Sequence, residues 1–291
     1  MSVAAQAVEG SVATGAIYSL VGSGFALLFR ASKVLSFCQG GFMLVGAFVF
    51  YDAVSAWKLG FLAALCVSAV ILTVLSAGTY FVVFARVASR AAFGTSVTTI
   101  GLAGVLQAAV AVKFGTSPLQ VPSVLSSRGY HVLGAVVPVV DIVTVATAAV
   151  VLAVLLVVVR LTPLGRRMEA VADNAGLAEH LGLSAARTST LAWGIAGAST
   201  AVAGSVFAIR SAVDPVGVSN VALLAFPAII LGGLDSVGGA AIGGLLFAGV
   251  QNFVEVALGS GWVTIVSFAL MLALLAVRPS GMFGRPDVVR L

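Results

Sequence analysis

Few side chains in this sequence could do chemistry, and its longest polar segment lies between two strongly apolar regions. Leu161 to Thr188 reads LTPLGRRMEAVADNAGLAEHLGLSAART and holds three of the ten acidic residues, Glu169, Asp173 and Glu179, together with Arg166, Arg167, Arg187 and His180. The spacing suits contact rather than catalysis. Pro163 is placed to start a helix, where its missing N–H costs nothing. Met168, Val171 and Ala172 give that helix a partly apolar face. Asp173 or Asn174 then offers an oxygen to cap a second short helix through Leu177, Ala178 and Leu181. Gly182 can end it in a left-handed conformation. A short capped helix with an apolar stripe and charged flanks fits a groove on another protein. The same residues also suit an ordinary solvated hairpin.

Other chemistries find little support. There is no GxxxxGK[ST] loop for ATP and no HExxH. The two histidines, His131 and His180, fall on opposite sides of the expected membrane, which disfavours a paired-His metal or proton relay. Cys38 and Cys66 sit in apolar runs and read as small hydrophobes. Neither a Ser/His/Asp spacing nor a catalytic pair at membrane depth is evident. Asp52 and Asp141 read as interfacial residues, Glu255 as interfacial or pathway-lining, and Asp235 as a turn residue. A secondary transporter usually needs ion-coupling charges or broken helices at the midplane. Gly-rich breaks are present but a midplane carboxylate pair is not, so a pathway driven from outside the chain is favoured.

The elements that must hold these groups are helices in a bilayer. Hydrophobic residues make up 60% of the 291 and charged residues only 9%; mean hydropathy is +1.17. Ordinary soluble domains are about a quarter charged. Apolar runs cover about Gly10–Phe29, Ser36–Trp57, Leu59–Phe84, Ser96–Val112, Val139–Val159, Thr190–Ile209, Val221–Leu234, Gly238–Leu258 and Trp262–Val277. The fold class is therefore an all-α polytopic membrane protein of eight or nine membrane segments, with residues 1–291 forming one transmembrane domain. Val221–Leu234 reaches only about 21 Å at 1.5 Å per residue, short of a core of about 30 Å, and reads as re-entrant or tilted. Lys113–Pro138 is mixed and reads as an external loop with a strand or short helix. The 33 glycines suit close helix contact. No basic leader with a cleavage site is evident.

Charge sets the expected orientation. With the polar hairpin in the cytoplasm, Arg30, Lys33, Arg86, Arg90, Arg160, Arg166, Arg167, Arg187, Arg278, Arg285 and Arg290 fall inside, and Lys58, Lys113, Arg128 and Arg210 outside. Eleven against four is a positive-inside bias. It predicts an outside N-terminus, a cytoplasmic C-terminus and nine crossings. The net charge of +5 belongs to this pattern rather than to nucleic acid, since the basic residues form no groove-sized patch with aromatics.

Five motifs in order carry a resemblance along nearly the whole chain. They are GAIYSLVGSGFALLFRASKVLSFCQGGFMLVGAF at Gly15–Phe48, TPLGRRMEAVADNAGLAEHLGL at Thr162–Leu183, GIAGASTAVAGSVFA after it, GGLDSVGGAAIGG at Gly232–Gly244 and RPSGMFG at Arg278–Gly284. Together they resemble the permease subunits of branched-chain amino-acid (leucine/isoleucine/valine type) ABC importers. The resemblance implies a second permease subunit, identical or different, two cytoplasmic ABC ATPase subunits that bind the ATP, and an extracytoplasmic substrate-binding protein. It implies no cofactor in this chain and a location in a prokaryotic cell membrane. It also implies that residues 161–188 are the EAA-type coupling loop. Glu169, Ala170 and Gly182 match its positions, and Asn174–Leu181 would be the coupling helix. Asp173, Asn174, Leu177, Ala178, Leu181 and Gly182 join Glu169 and Ala170 as the expected ATPase contacts.

The sequence departs from the family where members often carry a run like NFAHGE. Here SFCQGG stands at Ser36–Gly41, with Gln39 and Gly41 in place of His and Glu, which leaves branched-chain, other amino-acid, urea or amide substrates open. Tyr18, Ser36, Gln39 and Gln107 are the pathway candidates, because polar groups in apolar helices need partners there; bonding to neighbouring helices accounts for them equally. The alternatives are a stand-alone secondary transporter or channel, and a membrane scaffold or enzyme subunit without a pathway.

Overall fold

The computed structural model describes residues 3–32, 36–87, 92–125, 129–132, 135–278 and 281–284. Lys33, Arg90, Arg128, Arg285 and Arg290, counted toward orientation above, lie outside the described residues. The order is α1 (Val3–Ser32), α2 (Gln39–Ser55), α3 (Phe61–Thr79) continuing through a π-helical stretch Tyr80–Phe84 into α4 (Ala85–Val87), α5 (Ala92–Phe114), β1 (Gly129–Val132), β2 (Ala135–Pro138), α6 (Val139–Leu161), α7 (Pro163–Asp173), α8 (Ala175–His180), α9 (Ala185–Arg210), α10 (Pro215–Gly232), α11 (Val237–Leu258) and α12 (Ser260–Val277). Among the described residues, eight helices are long and apolar enough to cross a membrane. α2 makes a ninth apolar helix of 17 residues, about 25 Å long.

The helices sort by what surrounds them. α1, α2 and α9 are enclosed by the others, whereas α5 and α12 turn mostly outward. α1 packs on α11, α9, α6 and α10; α2 and α3 pack on α9. In a bilayer the outward apolar faces have lipid as their solvent, so close inner packing must come from small residues. At the α2–α9 crossing a Cβ on Gly46 would lie 2.6 Å from the Ala201 Cα, and one on Gly204 would collide with the Met43 carbonyl oxygen. Both helices approach backbone to backbone only because these positions lack a side chain.

The expectation of a short segment at Val221–Leu234 is corrected. α10 begins six residues earlier, with Pro215 in its first turn and the Asp214 carboxylate accepting from the N–H groups of Val216 (3.1 Å) and Gly217 (2.7 Å). Its 18 residues give about 27 Å. Ser219 and Asn220 break the apolar run without breaking the helix, because the Ser219 hydroxyl donates back to the Pro215 carbonyl at 2.8 Å. In the expected external loop the chain forms strands: β1 pairs antiparallel with β2, Tyr130 opposite Val137. Leu119 and Val213 form a separate bridge, each N–H donating to the other's carbonyl at 2.9 and 2.8 Å.

Candidate functional site: a polar hairpin joined to a buried polar seam

The polar stretch folds as two helices with different attachments. α7 starts with Pro163 in its first turn and buries Gly165, Met168 and Val171. Gly165 lies so close to the Val159 carbonyl that a Cβ would collide with it. α7 thereby packs on α1, α6 and α9. Asn174 ends α7 and caps α8: its Oδ1 accepts from the Leu177 N–H at 2.9 Å. Of the two capping residues that spacing allows, Asn174 does the work. Gly182 takes φ +81°, its N–H donating to the Glu179 carbonyl (2.9 Å) and the Leu183 N–H to Ala178 (2.9 Å), which closes α8. Ala178 alone is buried in α8, while Leu177 and Leu181 are 57% and 74% exposed. Ala170 is exposed, and Asp173 is on the last turn of α7.

Ion pairs join the helix ends. The Arg30 Nη2 donates to the Glu169 carboxylate at 3.1 Å, tying the last turn of α1 to α7. The Arg210 Nε donates to Asp141 at 2.5 Å and its Nη1 to the Thr14 hydroxyl at 3.2 Å, tying α9, α6 and α1. Lys113 pairs with Asp52 at 2.6 Å, between the ends of α5 and α2. Each pair joins residues that charge patterning assigns to the same side of the membrane.

The four pathway candidates do not meet at one point. Tyr18 donates to the Gln251 Oε1 at 2.7 Å, and Gln251 donates on to Ser267 at 2.8 Å, so one buried chain links α1, α11 and α12. Gln107, half-buried on α5, donates to the Pro215 carbonyl at 3.1 Å. Ser36 lies 2.9 Å from the Cys38 Sγ just before α2, and the Phe37 N–H donates to Thr99 at 3.0 Å. Gln39, fully buried at the start of α2, has its Oε1 2.6 Å from the Thr200 hydroxyl, which is also 2.8 Å from the Ala196 carbonyl. One hydroxyl proton cannot serve both acceptors. The Gln39 Nε2 has no partner among the described residues. Turning the amide over lets Nε2 donate to Thr200 and Thr200 to Ala196, using each proton once.

Gln251 and Thr200 belong to this seam, as do Ser23 and Ser199, whose hydroxyls lie 3.1 Å apart. The sequence reading passed over all four, although the rule that selected Tyr18, a polar group inside an apolar run, would have found Gln251. Arg30 was read only as a basic residue after a span; nothing in sequence pairs it with Glu169. Among the described residues, no group of three or more His, Cys, Asp or Glu could hold a metal ion.

Comparison with known proteins follows the same outline. The chain matches the family described as "Branched-chain amino acid transport system / permease component" over residues 7–275. It is similar to the high-affinity branched-chain amino acid transport system permease protein LivH of Escherichia coli (strain K12), 26% identical over 95% of this chain and 94% of that one. The BraD permease of Pseudomonas aeruginosa, described in the same words, is 25% identical over 97% and 96%. Among solved structures, PsaBC from Streptococcus pneumoniae in complex with Fab aligns over 94% of this chain and 92% of that one at a TM-score of 0.48 and 11% identity, a likeness that carries no argument here.

Proposed function

Because the chain belongs to the branched-chain amino acid transport system permease family, we propose that it is the membrane-spanning subunit of an ATP-driven importer, forming with a second permease subunit the pathway for branched-chain or related amino acids. Energy comes from two cytoplasmic ATPase subunits, which bind the ATP, and substrate from a binding protein on the far side. This chain contributes no catalytic residue and no cofactor. The excess of basic residues on the side of α7 and α8 supports a cytoplasmic hairpin, and a prokaryotic cell membrane is the proposed location.

The single observation that carries the reading is the pair of exposed leucines at α8, Leu177 within it and Leu181 at its C-cap. Leu177 and Leu181 stand four residues apart, hence on one face, the Leu181 N–H donating to the Leu177 carbonyl at 3.1 Å, whereas Met168 and Val171 on α7 are buried. Asn174 and Gly182 fix both ends of α8, so it presents this face as a rigid unit. An apolar helix face of this kind is a plug for a groove, and an ATPase subunit is the partner proposed for it. Glu169, Ala170 and Asp173 line the approach on α7. Tyr18, Ser36, Gln39 and Gln107 are proposed to shape the pathway, Gln39 foremost because its amide is fully buried and meets a partner, Thr200, on one side only.

The test is capture of co-expressed ATPase subunits from detergent by the native chain and by Gly182→Asp, with labelled leucine uptake measured in parallel. The native chain is expected to retain the ATPase and to take up leucine. Gly182→Asp keeps the membrane helices and is expected to lose most of the captured ATPase, because a carboxylate then sits at the contact. An ATPase-free native chain that still moves leucine would show a stand-alone transporter instead.

A further inference from the structure

α1 is tied differently at two levels. Inside the helix, Thr14 is held by Arg210, whose guanidinium also grips Asp141 through a second nitrogen, so α1, α6 and α9 share one clamp. In the last turn, sixteen residues or about 24 Å further along, Arg30 reaches Glu169 through one nitrogen and one oxygen at 3.1 Å. The Arg30 Nε is buried and has no partner among the described residues. A guanidinium can grip a carboxylate with two parallel bonds; this one uses a single bond and leaves a desolvated N–H without a partner among the described residues. The contact is therefore a joint that can be remade rather than a lock.

The groups α1 carries between Thr14 and Arg30 give the joint a purpose. Tyr18 bonds Gln251, Ser19 donates to the Ala241 carbonyl at 2.6 Å, and Ser23 touches Ser199. A Cβ on Gly24 would sit 3.4 Å from the Gln39 Nε2. Any tilt of α1 about Thr14 moves the whole buried seam, and the hairpin's ion pair to α1 is in the last turn, where leverage is greatest.

We infer that Arg30 is a positioning residue for transport: its bond to Glu169 carries displacement of the α7–α8 hairpin into α1, and through α1 into the buried polar seam. This rests on the reading of α8 as the ATPase-docking helix. Energetic coupling needs a physical element that both sites bias, and α1 is that element.

The experiment uses the intact transporter in proteoliposomes and measures three things: ATPase subunits retained, ATP hydrolysed, and labelled leucine moved per ATP. Arg30→Gln is expected to retain the ATPase subunits and hydrolyse ATP while leucine moved per ATP falls roughly tenfold, within the usual range of coupling energies. Arg30→Lys, which keeps the charge and the ability to donate to the Glu169 carboxylate, is expected to recover most of the ratio. A purely structural role would lower thermal stability and both rates together and leave the ratio alone; that result, or an unchanged ratio at full rates, overturns the inference. Should Arg30→Gln fail to accumulate, Glu169→Gln weakens the same bond from the other side and must lower the same ratio, or the inference is overturned. A native complex that retains no ATPase refutes the docking reading itself, a result distinct from retention with an unchanged ratio.

Discussion

α7 and α8 come from one polar stretch and carry similar apolar side chains, yet they have opposite fates. α7 turns Met168 and Val171 into the bundle and brings Gly165 against the Val159 carbonyl. α8, one capping residue later, turns Leu177 and Leu181 out. The change of direction occurs at Asn174, whose extended backbone (φ −158°, ψ 97°) interrupts one helix while its side chain starts the next. The lesson is that an apolar residue in a polar segment has two possible uses, mooring or docking, and that hydrophobicity alone does not separate them. A mooring side chain acts on stability and a docking side chain on association, so the contrast can be broken by substitution.

The largest effect is expected from Leu177→Asp combined with Leu181→Asp: two carboxylates forced into a closed interface without partners cost several kcal/mol, and about 4 kcal/mol already lowers association by roughly a thousandfold. Capture of the ATPase subunits should vanish while the melting temperature of the detergent-solubilised chain stays put; undiminished capture would erase the contrast between the two helices. Gly165→Val comes next and should act the other way. Its side chain meets the Val159 carbonyl, and overpacking of this kind costs about 3 kcal/mol, visible as lost folded material in size-exclusion profiles. Met168→Ala empties a fully buried site and should cost about 2 kcal/mol or more, read from thermal unfolding. A milder test is Gly182→Ala, where left-handed backbone strain of about 1 kcal/mol should loosen α8 and weaken capture a fewfold without lowering the unfolding temperature of the bundle. The smallest shift belongs to Asn174→Ala: loss of the cap costs about 1 kcal/mol, and faster amide exchange at Leu177 would report it.

Much of the hairpin was legible in the chain because its signals are local. Pro163, Asn174 and Gly182 each act within one turn, so their roles follow from position relative to the apolar residues. The membrane runs were legible for a similar reason, since a bilayer demands length and apolarity of each segment separately. α10 was misjudged because an apolar-run criterion treats Ser219 and Asn220 as a boundary, while a helix tolerates a serine whose hydroxyl bonds back to the preceding turn. The buried seam was legible only in part. Tyr18, Ser36, Gln39 and Gln107 stand out as polar groups in apolar surroundings, but their partners lie far away in sequence, Tyr18 and Gln251 being 233 positions apart.

By itself the sequence determined the class of protein, the approximate spans, the charge asymmetry and the capped hairpin. Each of these depends on neighbours within a few residues or on the solvent a segment must enter. Only the tertiary structure decided which hairpin helix is moored and which is free. It also decided that Arg30 meets Glu169 while Arg210 meets Asp141 and Thr14, and that the Gln39 amide meets Thr200. These depend on how α1 is gripped by α6, α7, α9 and α11. That grip follows from close backbone approach at small residues, and side chains of similar chemistry along the helices leave the partner of each one open until the helices are packed.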